Sequence, residues 1–410
     1  MSYTVAAIDI HKKILMVAVA DVTATEGEFE CGRFGSTRSE WRRLIAWLEE
    51  RAVQEVVMES TAQYWRPVWL ELEPHFRLHL AQAKSNRAPR GRKSDFGDTR
   101  RLVRRFVAGD LILSYVPEAA QRVWRNLTRS RQQLIRDKVR LQNQMECLLE
   151  EARIKLSSVI TDLLGVSGRR ILRAIAAGET NPEKLAELGD HRLKCTNAQL
   201  MDAVDGKPDP IHCQLLGLYL ERLELLDRQV EMLNGMIAAG LRAHQQAVVR
   251  LAEVPGLGVE SAQQIIAEVG VDAKAFDTPA NLTSWGGLCP GSEESAEENH
   301  NAACPKGNKY LRRVLNQAAQ AAVKKKGCHF QTVFHRLLPR LGYKQALCAV
   351  ARRLCVVVWK ILHDEVKYVE RGTKPSPSAA RQRAQKLVRA LRHLGYTVEI
   401  TRPEPAGSVG

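Results

Sequence analysis

Four leucines spaced seven residues apart place the strongest limit on how this chain folds. They are Leu127, Leu134, Leu141 and Leu148. A seven-residue repeat keeps apolar side chains on one side of a helix, where a second helix must cover them. A second long helical stretch, residues 210–254, offers that partner. We therefore expect an antiparallel coiled-coil arm, with a plain helical bundle as the alternative.

The chain before this repeat has a different pattern. Residues 4–83 alternate between short apolar runs typical of strands and amphipathic runs typical of helices. Residues 37–51 form one such amphipathic run, and Ser39 is the residue that we expect to cap its helix. Because strands and helices follow one another here, the pattern predicts an α/β sheet domain, and an all-α region follows it.

The charge balance points to a class of partner. The chain of 410 residues has a formal net charge of +15, and such a basic protein is expected to bind a polyanion, of which nucleic acid is the commonest. No apolar run approaches the roughly 18 residues that a membrane-spanning helix needs. The nine cysteines form no CxxC pair, which is typical of a reducing compartment. We expect a cytoplasmic protein with no membrane association.

Four carboxylates can hold metal ions. Asp9 lies inside an apolar strand, where a charge is costly unless it has a partner, and its neighbours Ile8 and Ile10 point to the opposite face. Glu59 ends another apolar strand, and Asp95 and Asp98 share one face of a helix. Oxygen ligands in such a set select Mg²⁺ or Mn²⁺, and a pair of these ions can promote phosphoryl transfer.

A dense basic segment surrounds two of these carboxylates. Residues 84–105 contain nine basic and two acidic side chains. Such a stripe follows a phosphate backbone and would bring it to the metal ions. The nucleic-acid-binding candidates are Arg92, Lys93, Arg100, Arg101, Arg104 and Arg105, with Lys306, Lys309, Arg312 and Arg313 in a second basic segment.

The second basic segment belongs to a region rich in glycine and serine, residues 282–319. Ser292 and Ser295 lie in its acidic loop and are candidate nucleophiles if a base or a metal ion activates one of them. Upstream, "PGLGVESA" (residues 255–262) resembles the turn of a helix-hairpin-helix motif, in which glycines allow backbone amides to approach phosphate.

Taken together, these segments resemble a known family: the insertion-sequence transposases numbered one hundred and ten, which have a DEDD domain and a second, serine-bearing domain. The matching blocks in the first half are "AIDIHK", "MESTAQYW" and "KSDFGDTRRL". Those in the second half are "VPGLGVESAQQIIAEVG", "WGGLCPGSEESA" and "KGNKYLRRVLNQAA". They occur in the family's order and cover most of residues 4–325.

The resemblance implies a RuvC-like (RNase H-like) sheet domain whose metal-binding carboxylates are Asp9, Glu59, Asp95 and Asp98. It also implies a serine that attacks DNA, which corresponds to Ser295. This chain has Ala296 where the family usually has glycine, and Ser292 is the second candidate. Family members use a noncoding guide RNA that pairs with donor and target DNA, and they form homodimers and homotetramers.

The sequence thus predicts a metal-dependent DNA transposase with a defined order of domains. They are a RuvC-like DEDD domain (1–117), a coiled-coil arm with inserted helices (118–250), a mainly helical serine-bearing transposase domain with a helix-hairpin-helix-like turn (251–330), and a helical extension with a basic tail (331–410). Two alternatives stay open at this point. One is a RuvC-like, structure-selective endonuclease that forms no covalent intermediate, and the other is a non-catalytic nucleic-acid-binding protein.

Overall fold

The computed structural model describes residues 3–22, 29–59, 63–82, 95–290, 294–295, 298–299, 304–370, 385 and 388–389. The chain divides into two compact units, Met1–Glu118 and Ala119–Gly410. Each unit has hydrophobic clusters of its own and is described by itself. Over the described residues, no helix combines the length and the apolar character needed to span a bilayer.

The first unit is built on a mixed sheet. Its described strands are β1 (Thr4–Ile10), β2 (Ile14–Asp21), β3 (Glu30–Gly35), β4 (Val53–Glu59), β5 (Arg77–Ala81) and β6 (Leu113–Ser114). Their order across the sheet is β3-β2-β1-β4-β5-β6. β1 pairs antiparallel with β2 and parallel with β4, and β4 is parallel to β5. The parallel neighbours are joined through helices, as parallel strands require.

Helices cover both faces of this sheet. α1 (Arg38–Glu49) and α2 (Trp65–Leu72) pack on one face, in a cluster that contains Ile8 and Ile10. α3 (Asp95–Val107) packs on the other face. Because successive side chains of a strand point to opposite faces, each central strand is apolar on both sides. The expected α/β domain is confirmed.

Asp9 projects from the face of the sheet that α3 covers. Ala7 and Val57 form a small apolar cluster there with Leu102 and Val103 of α3. Asp9 is two residues after Ala7 and so projects from the same face of β1. The prediction that Asp9 and its neighbours Ile8 and Ile10 point to opposite faces of the sheet therefore agrees with the fold.

The start of α1 differs from the prediction. Thr37, in extended conformation, is its N-cap residue, and Ser39 lies inside the helix with its hydroxyl 3.1 Å from that of Thr37. The carboxylate of Glu40 accepts a hydrogen bond from the backbone N–H of Gly35 at 2.8 Å, which fixes the chain as it enters the helix. Ser and Thr are both good capping residues, and their order alone could not show which one caps.

Two long antiparallel helices begin the second unit: α4 (Ala119–Glu151) and α9 (Pro210–Gly240). Arg131, Lys138 and Glu151 of α4 contact Asn234, Asp227 and His212 of α9, in that order. As the residue number rises on one helix it falls on the other, which defines the antiparallel direction. The inserted helices are α5 (Leu156–Val159), α6 (Val166–Ala176), α7 (Pro182–Glu187) and α8 (Asn197–Val204).

The seam between α4 and α9 contains apolar and polar layers. Leu141 and Leu148 of the leucine repeat are buried, whereas Leu127 and Leu134 are half-buried. Arg131 donates to Asn234 at 3.1 Å, and Lys138 donates to Asp227 at 2.6 Å. These two polar layers favour one register of the pair, because any slip would bury a charge without its partner.

The remaining helices share one large core. They are α10 (Gln245–Ala252), α11 (Val259–Val269), α12 (Pro279–Trp285), α13 (Lys309–Ala322) and α14 (His329–His363). A short 3-10 turn, Arg242–His244, separates α9 from α10, so the helical stretch predicted from 210 to 254 is interrupted. Gly256, at φ +87°, lies in the turn before α11, where a Cβ atom would be 2.1 Å from the carbonyl oxygen of Ala318. Glycine is needed there because α13 approaches so closely.

Candidate functional site

Asp9 and Glu59 are brought together by the pairing of parallel strands. The register between β1 and β4 pairs Ile8 with Met58, and Asp9 and Glu59 are the next residues on each strand. Matching positions on neighbouring strands point to the same face about 5 Å apart. Both residues are half-buried. Two carboxylates from separate sequence segments therefore lie side by side at the carboxyl ends of these strands.

α3 brings Asp98 to the same face. Asp98 lies one turn before Leu102, which packs on the sheet, so the two side chains share a face of the helix. At the other end of α3, Phe106 lies 4.8 Å from His79, which pairs with Val57 nearer the middle of the sheet. Nearer the start of α3, Nη2 of Arg100 lies 3.6 Å from Sγ of Cys31 on β3, so the helix crosses this face of the sheet. Asp95 begins α3, but its side chain lies outside the described residues.

Each described carboxylate of α3 and β1 has a basic neighbour. Oδ2 of Asp9 lies 3.2 Å from Nε2 of His11. Oδ1 of Asp98 accepts a hydrogen bond from Nη2 of Arg101 at 2.8 Å. A cation that bound these carboxylates would share them with His11 and Arg101 or displace those side chains. Arg101, predicted as a nucleic-acid contact, is therefore engaged with a predicted metal ligand.

The described carboxylates have the donor chemistry that suits a divalent ion. Asp9, Glu59 and Asp98 all supply carboxylate oxygen, the donor that Mg²⁺ and Mn²⁺ prefer. Among the described side chains, no three acidic, histidine or cysteine groups are close enough to hold a metal ion. Because Asp95 is outside that set, the fit rests on the donor chemistry and on the adjacent placement of Asp9 and Glu59.

The basic stripe is described from Arg100 onward, while Arg92 and Lys93 lie outside the described residues. Arg100 and Arg104 are exposed, with their guanidinium carbons 5.8 and 5.2 Å from the centre of the Phe29 ring. Arg105 is half-buried and donates to the carbonyl oxygen of Asp110 at 3.3 Å. Among the described members of the stripe, Arg100 and Arg104 are therefore the best exposed to a polyanion.

Residues 288–304, which contain Ser292 and Ser295 and which we call the serine segment, are described only in part. The backbone of β7 (Glu294–Ser295) pairs antiparallel with β8 (Glu298–Asn299), and Ser295 is opposite Glu298. The side chains of these four residues and all of Ser292 lie outside the described residues. The backbone of Ser295 thus lies in a pair of short antiparallel strands, and its role as nucleophile stays a prediction.

The two ends of the serine segment are fastened to each other. The backbone N–H of Asn308 donates to the carbonyl oxygen of Trp285 at 2.9 Å. A Cβ atom on Gly307 would be 2.4 Å from the backbone nitrogen of Gly287, which is itself at φ +66°. Only glycine permits this approach of two backbones. We call this junction, residues 285–287 and 305–308, the stem of the serine segment.

The four predicted basic contacts after the stem differ in their surroundings. Lys306 and Lys309 are exposed. Arg312 donates to the carbonyl oxygens of Gly286 and Pro305 and so holds the stem. Arg313 is half-buried beside Gln132 of α4. Arg312, which the sequence predicts as a nucleic-acid contact, therefore also has a structural role.

A buried carboxylate that sequence reasoning missed supports the stem. Glu268 of α11 is completely buried and accepts hydrogen bonds from Arg129 at 2.8 Å and from the side chain of Asn308 at 2.8 Å. The Oδ1 atom of Asn308 accepts hydrogen bonds from the backbone N–H groups of Tyr310 and Leu311. Asn308 therefore caps the N-terminus of α13. One feature of the sequence could have revealed this residue: Glu268 is a single glutamate on the apolar side of the helical run "SAQQIIAEV". A charge in such a place requires a partner.

Comparisons with known families agree with these segments. A DEDD-type IS110 transposase model matches residues 6–154. A second model, described as the transposase IS116/IS110/IS902 family, matches residues 248–335. The first match contains Asp9, Glu59, Asp95 and Asp98, and the second contains the serine segment and its stem. A DEDD domain suggests dependence on a divalent metal ion.

Individual relatives are also transposases or insertion-element proteins. A probable family 20 transposase of Pseudomonas aeruginosa is 26% identical over 326 residues, which cover 76% of this chain and 85% of the relative. An IS110 insertion-element protein of Streptomyces coelicolor is 32% identical over 151 residues, and an IS900 insertion-element protein of Mycobacterium paratuberculosis is 29% identical over 146 residues. The matches to these two insertion-element proteins span 36% of the relatives' own length.

Proposed function

Since the chain belongs to the IS110 family of insertion-sequence transposases, we propose that it is a site-specific recombinase that cleaves and rejoins DNA strands. The observation that carries this proposal is the pairing of Ile8 with Met58 on adjacent strands, since Asp9 and Glu59 are the next residues and α3, which contains Asp95 and Asp98, covers the same face. Carboxylates from separate segments on one face of the sheet support a site for phosphoryl transfer, which requires such a convergence.

We assign the binding of Mg²⁺ or Mn²⁺ to these four carboxylates. When bound, such ions polarise the phosphodiester and stabilise the leaving oxygen. The sheet, with helices on both faces, supports a RuvC-like (RNase H-like) domain for residues 1–117. The exposed Arg100 and Arg104, with Arg92, Lys93, Arg101 and Arg105, would hold the phosphate backbone near this face.

We assign the nucleophile to Ser295. Its Oγ atom would lose a proton and form an ester bond with the scissile phosphorus, while one DNA oxygen leaves as a hydroxyl group. A hydroxyl group of the joining strand then attacks the same phosphorus and releases the serine. The number of phosphoester bonds is unchanged, so rejoining requires no external energy source. The four glutamates at 293, 294, 297 and 298 do not favour a nearby phosphate, so cations must screen them.

The other assignments follow from family resemblance. They are a noncoding guide RNA that pairs with donor and target DNA, assembly as a homodimer or homotetramer, and a cytoplasmic location. The antiparallel pair α4–α9 supports a coiled-coil arm at residues 118–250. Residues 251–330 would carry the serine, with Lys306, Lys309, Arg312 and Arg313 near nucleic acid, and residues 331–410 would form a helical extension and basic tail.

The test is trapping of a covalent protein–DNA adduct. Protein copurified with its bound RNA is incubated with Mg²⁺ and labelled DNA from the element's own junction, then denatured and separated by size. Wild-type protein should carry labelled DNA, and Ser295→Ala should not, although it binds DNA as before. An adduct that persists in Ser295→Ala and disappears in Ser292→Ala would move the nucleophile to Ser292.

The same experiment separates the competing activities. Cleavage of DNA by the wild-type protein without any adduct would indicate a RuvC-like endonuclease that uses water, because such an enzyme needs only the carboxylates. Binding without cleavage or adduct, under conditions in which the RNA and the junction DNA are both present, would indicate a non-catalytic nucleic-acid-binding protein. Either result would overturn the proposed recombinase.

A further inference from the structure

A polar concavity lies between α4 and the first turn of α13 in the second unit. Its volume is about 350 Å³. We call it the α4–α13 pocket, and its principal lining residues are Asn126, Arg129, Ser130, Gln132, Arg136 and Tyr310. Hydrogen-bond donors of several kinds thus converge on a space large enough for a phosphate group.

One wall of the pocket is rigid. Arg129 forms two hydrogen bonds to the buried carboxylate of Glu268, both 2.8 Å long. Its guanidinium carbon lies 4.3 Å from the centre of the Tyr310 ring, which is therefore held against α4. Because Glu268 already neutralises Arg129, this arginine shapes the pocket without supplying most of its positive charge.

The excess positive charge comes from Arg136, which lines the pocket, and from Arg313, which lies beside its lining residue Gln132. With its amide oxygen facing Arg313, Gln132 accepts hydrogen bonds from Nη1 at 3.1 Å and from Nε at 3.3 Å, which fixes the plane of that guanidinium group. Burial, and after it the nearby Arg136 guanidinium, lowers the pKa of Arg313. Two cations are thus placed beside each other although like charges repel.

No carboxylate compensates this pair within the described part of the chain. Arg136 is exposed and has no ion-pair partner among the described residues. Asp137, the next residue, is bonded to Arg140 and to Gln133. An anion in the pocket would relieve the repulsion between Arg136 and Arg313, and the planar guanidinium fork suits phosphate.

We propose that the α4–α13 pocket binds one backbone phosphate of DNA. The choice of DNA rests on the proposed function, because Tyr310 and Arg313 lie near the start of α13, and its N-cap residue Asn308 closes the stem of the serine segment. DNA attacked by that segment would pass this end of α13. The positive end of the α13 helix dipole favours an anion at the same place.

Arg136→Ala is the first test, since Arg136 is exposed and its replacement spares the core. Binding of a short fluorescent DNA duplex to the full-length protein is measured by anisotropy over a range of KCl concentrations. Loss of one phosphate contact should lower the slope of log affinity against log salt by about one and weaken binding at low salt about tenfold. Arg136→Glu should weaken binding further.

Arg222→Ala is the matched control. Arg222 is an exposed arginine of α9 that does not line the pocket and has no ion-pair partner among the described residues. Arg222→Ala should leave the slope of log affinity against log salt unchanged. Equal slopes and affinities for Arg136→Ala and Arg222→Ala would overturn the proposal. So would a loss of affinity for the copurified RNA, measured in parallel, with unchanged affinity for DNA.

The pocket and the proposed function can fail separately. If wild-type protein forms the serine adduct and Arg136→Ala binds DNA like wild type, the recombinase stands and the pocket is wrong. If Arg136→Ala loses a phosphate contact and wild-type protein forms no adduct with junction DNA, the pocket stands and the serine chemistry is wrong.

Discussion

Arg129 of α4 and Glu268 of α11 form a two-point ion pair, with Nε and Nη2 of the arginine each 2.8 Å from a carboxylate oxygen. Glu268 has no exposed surface, and its Oε2 atom also accepts from Asn308 at 2.8 Å. Arg125 donates to the backbone carbonyl oxygens of Ala267 and Glu268. Three segments that are distant in sequence are therefore connected through one carboxylate, beside the stem of the serine segment.

Glu268→Gln should destabilise the second unit strongly. Burial lowers the pKa of Arg129, but the Glu268 carboxylate outweighs it and raises that pKa overall, so removal of the carboxylate leaves a partly buried cation without compensation. Removing one partner of a buried pair costs about 3 kcal/mol. Thermal and urea unfolding of the isolated protein measure the change.

Glu260→Gln is the control for this prediction, since Glu260 lies on the same helix and is exposed. Its carboxylate is 3.8 Å from the buried Arg131 but is itself 67% exposed, so solvent screening should keep its contribution below about 1 kcal/mol. Similar losses of stability in the two variants would mean that Glu268 has no special role in the unit.

The ion pair between Arg129 and Glu268 is a contact that the sequence alone could not predict. Alternation along β1 predicted that Asp9 and its isoleucine neighbours face opposite sides, because strand geometry is local. Glu268 and Arg129 are 139 residues apart, and no periodicity links them. The sequence indicated only that a charge in an apolar helix needs a partner, and it could not identify Arg129 among many arginines.

The same distinction applies to ends and interruptions of helices. The leucine repeat predicted an antiparallel coiled-coil arm. The two long helices are present as α4 and α9, while the coiled-coil arm itself stays a prediction. Ser39 was wrong as a cap because Thr37 has the same capping chemistry two residues earlier. The short strand β6 was not predicted, since two residues carry no readable alternation and its pairing with β5 depends on the tertiary fold.

Gly307→Ala should distort the stem of the serine segment. A Cβ atom at this position would be 2.4 Å from the backbone nitrogen of Gly287 and 2.6 Å from the carbonyl oxygen of Trp285, so the two backbones must separate. We expect a loss of about 2 kcal/mol in unfolding free energy. Under the proposed function, the yield of the protein–DNA adduct should fall more than the affinity for DNA.

Gly217→Ala provides the comparison. Gly217 lies inside α9, and a Cβ atom there would contact no atom within 4 Å. Alanine should stabilise this helix by up to about 1 kcal/mol. An adduct yield that drops equally in both variants would show that the stem is not the reason for the loss.

Asp227 should make the stability of the α4–α9 pair depend on pH. Burial alone would raise the pKa of Asp227, but Lys138 and Arg169 outweigh it, and the pKa is lowered from 3.8. A lowered folded-state pKa means that the carboxylate stabilises the fold above about pH 4 and loses this effect as pH falls through the folded-state pKa. Because the group is partly exposed, we expect a contribution of about 1 kcal/mol.

The measurement is thermal unfolding of wild type and Asp227→Asn between neutral and acidic pH. The melting temperature of the variant should be lower at neutral pH, and the difference should disappear below the folded-state pKa, where wild type is also uncharged. Asp202→Asn, at an exposed position of α8, should show no such dependence. A difference for Asp227→Asn that persists unchanged into acid would refute the electrostatic explanation.

Asp98→Asn should abolish Mg²⁺-dependent DNA cleavage while preserving DNA binding. Under the proposed function, the change removes the charge of one metal ligand and keeps the shape of the side chain, and the exposed Arg100 and Arg104 remain. Asp110→Asn is the matched control, because Asp110 is an exposed aspartate just beyond the C-terminal end of the same helix. Cleavage is measured over a range of Mg²⁺ concentrations, with binding to the same DNA measured in parallel. Cleavage by Asp98→Asn at the wild-type rate and metal concentration would remove Asp98 from the site, and equal losses in both variants would point to a general effect of negative charge around α3.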